Sequence, residues 1–227
     1  VAPKFTFDEA LVPAGARQPA GPDYPFHMGR FHVTNAQFVA FLNDAIANGE
    51  HPRGQYLFFH ATTGDVYLNT VATGESGDDL GGRTIRMFSP SASGRIRFLN
   101  GQYEIVPVPV DYSSHPVTGV SWYGAVKFCN WLTLDQGMLP RKRCYGEGPD
   151  LVAWRPMTIS ASDWAARDLT DDEREALVAN YRGYRLPMDD GYNNPTPTID
   201  SADDYNEWYK AAAWNETLRQ NTAFGFG

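Results

Sequence analysis

Residues 115–132 read HPVTGVSWYGAVKFCNWL. Pro116 and Gly119 punctuate the approach, and Ser121 is a helix N-cap residue placed before an apolar-periodic run. Trp122, Val126, Cys129 and Leu132 then recur at helical spacing, and Gly137 supplies the stop. The spacing predicts a helix from Ser121 that forms the centre of the core, with Trp122 as its first large anchor.

Working towards the N-terminus, Thr34-x-x-Gln37 is a capping box. Phe38, Phe41, Leu42 and Ile46 follow at helical spacing and Gly49 fits the end, so a helix is expected over Thr34 to about Ala47. Residues 54–120, between the two helices, read as strands. Arg95 to Leu99 alternates, Asn100-Gly101 is a hairpin turn, and Gln102 to Val110 returns, with Pro107 and Pro109 confining its end to an edge. Thr63-Gly64-Asp65 predicts a second turn, between Phe58-Phe59 and Val66-Tyr67-Leu68.

Towards the C-terminus two more helices are expected. One runs from Thr170 to about Tyr181, capped by Thr170-x-x-Glu173, with Asp171, Asp172 and Glu173 on its positive end. The other starts near Ser201 and carries Tyr205, Trp208, Tyr209 and Ala212 on one side. Residues 138–169 and 188–200 read as irregular. Strands framed by separate amphipathic helices indicate an α+β fold, loop-rich because Pro and Gly together contribute 37 residues.

A chain of 227 residues can bury a core without metal or disulfide staples. The formal charge of −8 opposes nonspecific nucleic-acid binding and a polybasic membrane anchor. No apolar run approaches the roughly 20 residues of a membrane span. The chain begins Val1-Ala2-Pro3, which fits a processed extracytoplasmic chain and equally a trimmed one.

Reactive patterns are scarce. The histidines (27, 32, 51, 60 and 115) form no H-E-x-x-H pair, and no nucleophile elbow, phosphate loop or calcium loop occurs. Arg83, Arg86, Arg95 and Arg97 fall in one predicted sheet region, where such groups can hold a sulfate, a phosphate or an acidic glycan. Tyr56, Phe58, Tyr67 and Tyr103 are either core or sugar-stacking residues. Cys129 on the apolar stripe reads as a buried, inert thiol. Cys144 follows Arg141, Lys142 and Arg143, a setting that lowers a thiol pKa. Whether these two cysteines pair is open from the spacing.

Three ordered segments resemble the formylglycine-generating enzyme, or sulfatase-modifying factor, family. They are Phe31 to Phe38 (FHVTNAQF), His115 to Leu132, and Tyr184-Arg185-Leu186-Pro187 with Glu207 to Ala212 (EWYKAA). The resemblance implies a loop-rich C-type-lectin-like fold over a single domain, 1–227, with insertions at about 138–183 and 188–206. It also implies export to an extracytoplasmic compartment. Trp122, Cys129 and Trp208 become structural core positions, and Cys129 matches a helix cysteine whose family partner lies in a section beyond Gly227.

That further section carries the family's calcium ligands and active-site cysteine pair, so no catalytic, cofactor or metal residue carries over to this chain. The expectation is a non-catalytic binding or structural module. The alternative is a copper-dependent oxidase of a protein cysteine, with calcium and copper present only where the C-terminal section is supplied. That section or another protein chain is expected to contact residues 205–227, and a glycan is the small-ligand class to test.

Overall fold

The computed structural model describes residues 2–13, 24–71, 74–91, 94–107, 110–166, 170, 172–173, 176, 183–187, 207, 211, 214–215 and 220–221. The chain divides into two compact units, residues 1–6 with 32–185 and residues 7–31 with 186–227. The architecture is loop-rich α+β, with short helices and small sheets.

In the larger unit, α1 spans Asn35–Ala47. Its capping box forms as read: Gln37 N donates to Thr34 Oγ1 at 3.3 Å, and Gln37 Oε1 accepts from Thr34 N at 2.9 Å. Helix α2 spans Trp122–Asp135 with Ser121 as N-cap. Gly137 closes it at φ +80°. Gly137 N donates to Leu134 O and Met138 N to Thr133 O, the paired bonds of a Schellman ending.

β3 (Leu57–His60), β4 (Val66–Leu68), β5 (Glu75–Gly77) and β6 (Arg86–Phe88) form a sheet in the order β5-β3-β4-β6. β7 (Ile96–Leu99) and β8 (Gln102–Ile105) form the hairpin expected around Asn100-Gly101. The returning strand stops at Ile105, short of Val110, ahead of the first proline. Both turns were legible, whereas β5 and β6 are too short to leave a period.

The core lies where α1 and α2 meet β6. Phe38 and Phe41 of α1 and Phe128 and Trp131 of α2 pack with ring centroids 5.2–5.7 Å apart, and Phe88 of β6 joins at 5.1 Å from Phe38. Gly124 lets α2 approach β6 directly, because a Cβ there would lie 2.2 Å from Met87 O.

Two expectations are corrected. Trp122 is not the core anchor: it is 38% exposed, while Trp131 is 0% exposed. From Val126 to Asp135 every residue of α2 is buried, so depth along the helix, not one apolar face, decides burial. Trp122 sits in the first turn, where the helix emerges. Residues 138–169 are also not wholly irregular. They contain 3-10 turns at Pro140–Lys142 and Leu151–Ala153 and a short helix α3, Ala161–Ala166.

Of the third expected helix, the Thr170–Glu173 cap is formed, with Glu173 N donating to Thr170 Oγ1 at 3.2 Å. Most of its remainder, and most of the fourth helix including Trp208, lie outside the described residues.

In the smaller unit, β1 (Glu9–Val12) and β2 (Phe26–Gly29) pair antiparallel. Near the C-terminus β9 (Trp214–Asn215) pairs with β10 (Gln220–Asn221). The carboxylate of Glu207, a residue 1% exposed, accepts from Tyr24 Oη at 2.9 Å.

Candidate functional site

The four arginines do not share one sheet. Arg83 lies in the loop between β5 and β6, Arg86 on β6, Arg97 on β7, and Arg95 just before β7. Each has a partner within the chain. Arg83 bonds Glu75 at 2.6 Å and Asn69 at 2.9 Å and stacks over Phe58. Arg86 pairs with Asp65 at 3.9 Å, and Arg97 bonds Glu104 at 2.6 Å. Arg95, at φ +62°, stacks over Tyr112. Carboxylates already occupy three of the four sites to which an anion would bind.

Of the four aromatics weighed as stacking residues, Phe58 and Tyr103 are buried. Tyr103 Oη donates to Gly64 O at 2.6 Å, which ties the β7–β8 hairpin to the β3–β4 turn.

Both cysteines are free and buried. Burial pushes the Cys129 thiol up to about 12, with the nearby Cys144 adding to it and Arg185 opposing. Burial also pushes Cys144 up to about 11, against a hydrogen bond from the Gly183 backbone and the Arg185 charge. The expected lowering at Cys144 is therefore overturned. Of its basic neighbours, Arg143 pairs with Glu147 at 3.3 Å, and Arg141 and Lys142 lie in a 3-10 turn.

Among the described residues of the larger unit, two buried ionic clusters stand out. Lys127, 0% exposed, donates to Glu147 Oε2 at 2.6 Å and to Pro52 O at 2.9 Å. Asn130 Nδ2 donates to Glu147 Oε1 at 2.9 Å. Burial holds the Lys127 ammonium below its ordinary pKa, with Glu147 opposing the shift. A second cluster joins the two helices: Arg53 Nη1 donates to Asp44 at 2.8 Å and to Asp135 at 3.2 Å. Sequence reading missed both, although a lysine inside the apolar run of α2 was a usable signal for the first.

The surface feature is aromatic. Trp122 stacks on Trp164 of α3 at 5.7 Å and 30°, and meets Tyr123 and Tyr145 edge-on at 5.1 and 6.1 Å. Leu139, Leu151, Val152 and Met157, between α2 and α3, are also exposed. Of these rings Trp122 is the exposed one, Trp164 and Tyr123 are half-buried and Tyr145 is buried. Ring surface for a sugar face or an apolar partner is therefore offered mainly by Trp122. Among the described residues, no group of three or more His, Cys, Asp or Glu is placed to hold a metal ion, and no helix is long and apolar enough to cross a membrane.

A model of the sulfatase-modifying factor enzyme 1-like domain matches residues 13–222. The chain belongs to that family. The match takes in all three resembling segments and the loop-rich α+β core of this sulfatase-modifying factor domain. Neither curated proteins nor solved structures give a match.

Proposed function

We propose that this sulfatase-modifying factor domain is an extracytoplasmic binding or structural module whose own residues perform no catalysis. The observation that carries the reading is the state of its two cysteines. Copper-dependent thiol oxidation requires thiolates that reach a metal and a substrate. Cys129 and Cys144 are buried, with pKa values raised to about 12 and about 11. The exposed Trp122, stacked on the half-buried Trp164, supports a binding role, with a glycan as the first ligand class to test.

The second reading is a formylglycine-generating-type oxidase of a protein cysteine, whose catalytic cysteines come from outside residues 1–227. The family membership itself favours it.

Titration with Cu(I) against a chromogenic chelator separates the two for this chain. The module reading expects the native protein to leave the chelator its copper. Uptake that Cys144→Ser abolishes contradicts that reading and favours thiol chemistry.

A further inference from the structure

We propose that Cys129 and Cys144 close to a disulfide when the chain folds under oxidising conditions, and that residues 183–185 then seal the bond. The proposal rests on neither reading of function, and it gives Cys129 a partner other than the one that the family resemblance implies.

The contacts beside the two cysteines bring their backbones together. Asn130, next to Cys129, grips the residue next to Cys144 twice. Its Nδ2 donates to Tyr145 O at 2.9 Å, and its Oδ1 accepts from Tyr145 N at 3.3 Å. These bonds hold the backbones at Asn130 and Tyr145 together, so the cysteines that precede them lie on neighbouring segments; a disulfide needs their Cα atoms within about 7 Å. The thiols are close enough for ionisation of one to oppose ionisation of the other.

The cover is made by three consecutive residues. Gly183 N–H donates to Cys144 Sγ. Tyr184 N donates to Thr133 Oγ1 at 2.9 Å, and that hydroxyl donates to Cys129 O at 2.9 Å. The Arg185 charge acts on both thiols. The strap is tightly seated, since a Cβ on Gly183 would lie 2.3 Å from Lys142 O and 2.7 Å from Thr133 Oγ1. Closure therefore precedes the seating of the strap, because an oxidant cannot reach the thiols after it.

The oxidant is a low-molecular-mass disulfide. The Cys144 thiolate attacks one of its sulfurs and expels a thiolate, giving a mixed disulfide. The Cys129 thiolate then attacks the Cys144 sulfur and expels the second small thiolate. The protein loses two protons and two electrons, and the small disulfide is reduced to two thiols. Oxidising compartments are where such bonds persist.

The test refolds the reduced, denatured chain in a mixture of oxidised and reduced glutathione and maps it by digestion without reductant. The expected result is one cross-linked peptide pair joining Cys129 to Cys144, lighter by two hydrogens than the separate peptides. A second sample, already folded and reduced, is held in the same buffer for the same time and is expected to keep both thiols. Two free or separately glutathionylated cysteines after refolding overturn the bond. Equally fast closure in the folded sample overturns the sealing role of residues 183–185.

Discussion

Trp131 Nε1 donates to Asp44 Oδ2 at 2.8 Å, so a fully buried tryptophan of the core is tied to a carboxylate of the other long helix. Arg53 holds the same oxygen at 2.8 Å and reaches Asp135 on α2 at 3.2 Å. Lys4 N adds a bond to Asp135 Oδ2 at 2.8 Å. Apolar packing and a charged clasp thus join α1 to α2 at one place.

Trp131→Ala is expected to cost about 3–5 kcal/mol, the range for removing a fully buried aromatic. Trp122→Ala is expected to cost only about 1–2 kcal/mol, from ring pairs at a partly open site. Urea unfolding of the two variants decides it, and a reversed order would return Trp122 to the core.

The clasp carries a pH signature. Burial alone raises the Asp44 carboxyl, but Arg53, Trp131 and Lys4 together outweigh it and hold it below the ordinary value. The unfolded chain then takes up this proton more readily than the folded one. Its stabilisation is complete above the unfolded pKa of about 3.9 and is lost as pH falls through the lower folded value. Asp44→Asn is expected to cost about 3 kcal/mol at neutral pH, by leaving Arg53 half-paired. It should also flatten the acid limb of a stability-against-pH curve; an unchanged acid limb would assign that limb to other carboxylates.

How much of this was legible varies by residue. The capping box at Thr34, the stop at Gly137 and the hairpin at Asn100-Gly101 are local devices, and each formed as read. Trp122 misled because periodicity assigns a face but not a depth. Cys144 misled for a related reason: basic neighbours in sequence bind Glu147 or stand in a turn, and the thiol experiences burial first. The Trp122–Trp164 contact joins residues far apart in the chain and had no pattern to reveal it.

Glu147→Gln is expected to destabilise by about 3–5 kcal/mol, because it strands the buried Lys127 ammonium and frees Arg143. Lys127→Met should cost less, since the apolar stem is retained and Glu147 keeps Arg143 and Asn130. Equal costs in a chemical denaturation series would mean that the pair acts by packing alone.

Tyr103→Phe removes one hydroxyl and leaves Gly64 O without its bond. About 1–2 kcal/mol should be lost, as for a buried acceptor deprived of its donor. Glycan binding, where present, should survive this change and be lost in Trp122→Ala. Loss in Tyr103→Phe with unaltered stability would move the ligand site to the β7–β8 hairpin.

The most direct test of the central claim is turnover. The purified chain is incubated with copper, oxygen and a peptide bearing a sulfatase-type cysteine motif, and the peptide is weighed by mass spectrometry. A non-catalytic module leaves the peptide cysteine intact at every time point. Conversion of that cysteine to formylglycine by the wild-type chain, abolished in Cys144→Ser, would contradict the account.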